Sequence, residues 1–166
     1  TEKDLATLKF SNISGQAIIT SVISVPVEPA KMAANSSLVL TRTFYVAGKE
    51  STSIGESDLV KVGLTFQINE NLQDGCYQVQ DVLPSGLKPV SALLYPGQDT
   101  DFYHYPYQID GQKVSFCVTK NSTNKNIYYY ARVVNQGVFK AENALIQSLA
   151  SPSIFTLSPS SEVNIK

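Results

Sequence analysis

The chain has 166 residues, enough for one domain or for one domain and part of another. Its 13 Lys and Arg stand against 14 Asp and Glu, giving a net charge of −1. No basic run exists to neutralise a line of phosphates, which excludes nucleic acid as a partner, and no apolar run approaches the ~20 residues that span a bilayer.

The remaining composition points to sheets. Charged residues are only 16% of the chain, tryptophan is absent, and there are 9 tyrosines. That mixture suits twisted sheets with polar outer faces. The sequence begins at Thr1 in mid-pattern with no visible signal peptide, so a mature or excised piece of a longer chain is expected.

Taken in chain order, alternation of apolar and polar residues is the dominant signal. Residues 16–25 form the first candidate strand. Residues 26–37, with Pro26, Pro29, Asn35 and two serines, look like a linker. The first 35 residues are therefore expected to close a preceding β domain, or to supply a leading strand and linker, and residues 36–166 to form the main domain. The next strand is expected over 38–46. Val60, Val62, Leu64, Phe66 and Ile68 then share one face, with Lys61, Gly63, Thr65 and Gln67 on the other, which describes a half-buried strand.

Further strands are expected over 76–82, 113–119 and 127–134. Asp110-Gly111 marks a hairpin between Tyr107-Gln108-Ile109 and Val114–Val118. One stretch has helical spacing: Leu87, Val90 and Leu94 fall on one face, and Pro89 suits a first helical position. At most one short helix, near residues 87–95, is thus expected within an all-β, antiparallel β-sandwich.

The two cysteines, Cys76 and Cys117, have no Cys/His cluster beside them, which argues against a metal site. Strand parity places both thiols away from the core face, opposite Tyr77 and Val79 in one strand and Val114, Phe116 and Val118 in the other. The readings are one disulfide in an oxidising compartment or two buried thiols; if the strands are neighbours, the parity favours the disulfide.

Catalytic equipment is sparse, and no cofactor or metal is expected. The one histidine, His104, sits in Phe102-Tyr103-His104-Tyr105-Pro106-Tyr107, and no Gly-x-Ser-x-Gly elbow accompanies it. Asp99-Thr100-Asp101 resembles the start of a calcium loop but lacks its glycine, because the sixth place is His104. Asn12, Asn35 and Asn121 begin glycosylation triplets, which matter only in a eukaryotic secretory pathway. Tyr103 and Tyr105 are candidates for a platform that binds a sugar or a protein, against the plainer reading that they cover the end of the sandwich.

Ile127, Tyr129, Ala131 and Val133 share one face of their strand; Tyr128, Tyr130, Arg132 and Val134 share the other. Both faces are substantial, so a central strand is expected. A partly covered Arg132 needs a counter-charge. Asp81 is the candidate, giving an expected Asp81–Arg132 ion pair.

Three segments together resemble the C-terminal region of bacterial α2-macroglobulins. They are Gly55-Glu56-Ser57-Asp58-Leu59-Val60-Lys61-Val62, the run Gln80-Asp81-Val82-Leu83-Pro84-Ser85-Gly86-Leu87-Lys88-Pro89-Val90, and Tyr128-Tyr129-Tyr130-Ala131-Arg132 continuing to Gly137-Val138-Phe139-Lys140-Ala141. The order and spacing agree over roughly residues 55–150. The resemblance implies a macroglobulin-like sandwich of immunoglobulin-like architecture, the domain that corresponds to the receptor-binding domain of vertebrate relatives, preceded by the end of a CUB-type domain. It implies a non-catalytic part of a broad-spectrum protease trap located in the periplasm, cell envelope or outside the cell. Its implied partners are the other domains of the parent chain and, through the parent, trapped proteases.

Two departures limit what is carried over. The thioester pattern Cys-Gly-Glu-Gln is absent, since Cys76-Tyr77-Gln78 has other spacing. Of the two receptor-binding lysines of vertebrate relatives, Lys88 matches the first place and Ala92 stands at the second, so receptor uptake of that kind is not expected. Leu87, Lys88, Val90 and Leu94 are the expected contact strip for neighbouring domains. The alternative function is a cell-surface adhesin or carbohydrate-binding sandwich using Tyr103 and Tyr105.

Overall fold

Period-2 side-chain alternation becomes, in a computed structural model of the chain, three β-sheets. The structure describes residues 26–91 and 105–166, together with residues 7, 9, 11, 12, 14–16, 18, 20, 22 and 24. The chain divides into two compact units, Thr1–Met32 and Ala33–Lys166.

In the first unit, Pro29–Lys31 forms a single 3-10 turn with proline at its start. An exposed Glu28–Lys31 ion pair spans it at 3.0 Å. Such a surface pair contributes little to stability. The strand expected over 16–25 is not found at the described residues there, where Ile18 and Val22 are exposed.

The second unit holds thirteen strands among the described residues: β1 Leu38–Val46, β2 Lys49–Glu50, β3 Ser53–Ile54, β4 Leu59–Ile68, β5 Tyr77–Val82, β6 Leu87–Pro89, β7 Gln108–Asp110, β8 Lys113–Val118, β9 Asn126–Val133, β10 Gly137–Ala141, β11 Leu145–Ser148, β12 Phe155–Leu157 and β13 Ser161–Ile165. A front sheet has the order β2-β1-β4-β9-β6 and a back sheet the order β12-β11-β5-β8-β7. A smaller side sheet runs β10-β13-β3. All pairings are antiparallel except β13 with β3. This is the expected all-β sandwich.

The core lies between front and back sheets. Leu40, Phe44, Val60, Val62, Leu64, Phe66, Ile127 and Tyr129 face inward from the front, and Tyr77, Val79, Val114, Phe116 and Ile146 from the back; all are buried. Phe116 and Tyr129 touch across the gap, ring centroids 5.6 Å apart. Burying side chains of this size stabilises by roughly 1.5–3 kcal/mol each. As expected, β9 is central, lying between β4 and β6.

Two tight turns set the register. β1 and β2 are joined by Ala47 and Gly48, with φ +47° and +77°, the two positive values a type I′ hairpin turn requires. β7 and β8 are joined by Gly111 and Gln112, and Gly111 has φ +59°. Gln112 then clasps the following corner: its backbone oxygen accepts from Leu83 N, and its side-chain nitrogen donates to the oxygens of Pro84 and Leu87.

That corner corrects one expectation. Leu87–Pro89 is a strand, not the start of a helix, and pairs antiparallel with Ala131–Val133. Cross-strand hydrogen bonding outcompetes a helical pattern carried by few residues. Residues 92–95 lie outside the described residues. Gly86 permits the close approach, because a Cβ there would come within 2.5 Å of the Ile165 and Phe139 side chains.

Candidate functional site

Two charges occupy inward positions on facing strands. Arg42 continues the inward series Leu38, Leu40 of β1, and Asp81 continues Tyr77, Val79 of β5. Their side chains are 1% and 0% exposed, and Arg42 Nη1 meets Asp81 Oδ1 at 2.6 Å. The other carboxylate oxygen accepts a hydrogen bond from the Tyr129 hydroxyl at 2.7 Å. Arg42 Nη2 donates to the backbone oxygens of Ala141 at 2.9 Å and Glu142 at 2.6 Å.

The cluster therefore links β1 and β9 of the front sheet, β5 of the back sheet and the end of β10 in the side sheet. The Arg42 guanidinium also lies 5.3 Å from the centre of the Phe44 ring. Within this cluster Arg42 Nε is left without a hydrogen-bond partner, as is the buried Ser115 Oγ elsewhere among the described residues. Burial, and after it the charge of Asp81 and its hydrogen bond, push the Tyr129 hydroxyl well above its ordinary value, with Arg42 opposing. Tyr129 is thus held as a proton donor. Both carboxylate oxygens are engaged, so the cluster is chemically a structural pin that ties three sheets together.

The expected Asp81–Arg132 pair is corrected. Arg132 points to the outer face of β9 and is exposed, while Asp81 faces the core. Asp81 takes Arg42 instead. Sequence parity carried the signal: a charge at an inward place in each of two otherwise apolar series.

Cys76 and Cys117 form a disulfide with a Cα–Cα distance of 5.5 Å. Cys117 stands one residue before Val118, the partner of Tyr77, so the bridge runs diagonally between β5 and β8 on the outer face of the back sheet.

The expected contact strip is only partly available. Leu87 is fully buried in the core, Lys88 is exposed and Val90 is half-buried. Leu94, Tyr103 and His104 lie outside the described residues. Tyr105 is 77% exposed.

The outer face of the front sheet is tyrosine-rich. Lys61 lies 5.3 Å from the Tyr45 ring centre and 5.0 Å from that of Tyr128. Each ring face attracts the ammonium group electrostatically. Gly63, between Thr43 and Tyr128 in register, leaves room for the rings, since a Cβ there would lie 3.0 Å from Tyr45 and 3.2 Å from Tyr128. A shallow groove of about 330 Å³ is lined by Glu56, Ser57, Val133, Val134, Asn135 and Gln136. Among the described residues no group of three or more His, Cys, Asp or Glu could hold a metal ion, and no helix is long and apolar enough to cross a membrane.

Comparison with solved structures places this fold. Native alpha-2-macroglobulin from Escherichia coli, spanning domain MG7 to the C-terminus, matches with a TM-score of 0.62 and 19% identity over 80% of this chain and 24% of that one. The Y1175G mutant of Salmonella alpha-2-macroglobulin matches with a TM-score of 0.62 and 23% identity over 86% of this chain and 10% of that one. Trypsin-activated alpha-2-macroglobulin from E. coli gives 0.61 and 21% over 80% and 10%. This chain thus spans between a tenth and a quarter of the length of the chains it resembles. No protein-family model matches the sequence, and no curated protein sequence does.

Proposed function

We propose that this chain is the non-catalytic C-terminal domain of an α2-macroglobulin-like, broad-spectrum protease trap, acting in interdomain packing and protein interaction. The observation that carries the reading is the agreement of fold with bacterial alpha-2-macroglobulins over 80–86% of the chain. The sequence segments that resemble the same family support it independently. They fall on structurally defined places: the approach to β4, the Leu83–Leu87 corner before β6, and β9 running into β10.

On this reading residues 1–35 are the end of a preceding CUB-like domain and residues 36–166 the macroglobulin-like sandwich. The Cys76–Cys117 disulfide supports an extracytoplasmic address, periplasm, cell envelope or secreted, because such bonds persist in oxidising compartments. The partners are the other domains of the parent chain and, through them, trapped proteases. The alternative, a sugar-binding sandwich, draws its support from the exposed Tyr105 ring.

The test uses the full-length parent protein. After incubation with trypsin, a trap leaves cleavage of a small chromogenic peptide largely intact while blocking cleavage of a protein-sized substrate. Equal trypsin activity on both substrates, with and without the parent, contradicts the proposal.

A further inference from the structure

Val114 and Phe116 take the core positions of β8, so Ser115 between them stands on the outer face of the back sheet. Ser115 is nevertheless fully buried, and its Oγ has no hydrogen-bond partner. A buried hydroxyl left in that state is costly. Its cross-strand neighbours are two glutamines, Gln80 on β5 and Gln108 on β7. Gln80 is half-buried and Gln108 exposed. Neither side-chain amide is hydrogen-bonded to another residue.

A tyrosine spans this row. Tyr107 donates its backbone N–H to the Ser115 oxygen at 3.0 Å. Its hydroxyl accepts a hydrogen bond from Nε2 of Gln78 on β5. Because β8 lies between β7 and β5, the Tyr107 side chain crosses the outer face of β8. The residue is 54% exposed, so the ring lies against the sheet on one side and meets water on the other. Fixed at its backbone and at its hydroxyl, the ring is already ordered for contact with a ligand.

The face around it carries no free charge. On the five strands of this sheet the charged residues are Asp81, Asp110 and Lys113. Asp81 faces the core and holds Arg42, while Lys113 and Asp110 pair at 3.6 Å. An ionic ligand would find no counter-charge here. A fixed aromatic face bordered by unengaged amides suits a neutral sugar ring instead. In a β-linked hexopyranose the C–H bonds line the faces of the ring and the hydroxyls project from its edge. Those weakly positive hydrogens meet the negative face of the tyrosine ring. The hydroxyls donate and accept, as each glutamine amide does.

We propose that Tyr107, Gln80, Gln108 and Ser115 form a binding site for a neutral, β-linked hexopyranose chain. One sugar ring stacks on Tyr107, and its edge hydroxyls bond the two amides. A hydroxyl entering between Gln80 and Gln108 supplies the partner that Ser115 Oγ lacks. The site stands whether or not the parent chain is a protease trap, and it does not use Tyr103 or Tyr105.

The test is an amide NMR titration of the 166-residue chain with cellohexaose to about 10 mM, enough to saturate a millimolar site. Saturable shifts are expected at residues 107, 108 and 115 and at the side-chain amides of Gln80 and Gln108. Added salt should leave them unchanged, because the ligand is uncharged. Tyr107→Ala is expected to weaken binding roughly tenfold. The double variant Gln80→Ala with Gln108→Ala should weaken it by a similar factor, and Tyr105→Ala should not. The amide spectrum reports directly whether each variant is folded. No saturable shift, shifts mapping elsewhere, or equal shifts from a capped Gly-Leu-Gly-Leu peptide overturns the proposal. So does unchanged affinity in folded Tyr107→Ala or in the folded double variant.

Discussion

Arg42 and Asp81 come from different sheets and meet at 2.6 Å in the interior of the sandwich, where water cannot compensate either charge. Tyr129 and two backbone oxygens add hydrogen bonds around them. Desolvating such a pair is expensive, so its presence alone does not measure stability. Its removal by halves does.

Arg42→Ala and Asp81→Ala should each destabilise the domain by about 3–5 kcal/mol, because each leaves an uncompensated buried charge. The double variant should lose far less than the sum, since both charges are then gone. Urea unfolding of the four proteins checks this. Additive losses would show that the two residues act separately.

Tyr129 gives the pin a pH dependence of known sign. Its hydroxyl is held protonated above the usual range in the folded chain. An unfolded chain releases that proton near pH 10. The contribution is fully present below about pH 10 and is lost as pH rises beyond it toward the folded value. Urea midpoints measured from neutral to strongly alkaline pH should fall more steeply for the native chain than for Tyr129→Phe. Parallel curves would remove Tyr129 from the account.

At the β1–β2 turn, Ala47 occupies a left-handed conformation with φ +47°. That conformation costs an L-residue roughly 1–2 kcal/mol. Ala47→Gly relieves it, offset by glycine's greater freedom when unfolded, and should leave a net gain of about 0.5–1 kcal/mol. Thermal unfolding reads the shift. A lowered melting temperature would mean the turn is not strained.

The Cys76–Cys117 bridge closes a span with a sequence separation of 41. In the chain-entropy view a loop of that size contributes about 4 kcal/mol. Cys76→Ser with Cys117→Ser should therefore lower the urea midpoint substantially, and a reducing agent should do the same to the native chain while leaving the variant unaffected. Insensitivity of the native chain to reduction would contradict the contribution assigned to the bond.

Much of this architecture was legible from alternation alone. The strand expected over 38–46 is β1, and those over 113–119 and 127–134 differ from β8 and β9 by one residue at their ends. The outward parity of both cysteines matches the disulfide on the outer face. Other features were not legible because they depend on what faces a strand rather than on the strand itself. Arg42 sits in an apolar series, and only the opposing sheet reveals that Asp81 and Tyr129 receive it. Arg132 has the same chemistry and two strong faces around it, yet its face meets solvent. Leu87 and Val90 fit a helical stripe, but the neighbouring Ala131–Val133 segment offers backbone partners, and the chain pairs with it. The strands β10–β13 are short and carry weak alternation, so pairing between distant segments defines them.

Hydrogen–deuterium exchange of the full-length parent protein before and after trypsin treatment tests the central claim without altering a residue. The account predicts that peptides covering Lys88 and residues 131–136 change their exchange as neighbouring domains rearrange, while core peptides from β4 and β8 keep theirs. Unchanged exchange across all of these peptides, in a parent whose trypsin is demonstrably captured, would contradict an interaction role for this domain.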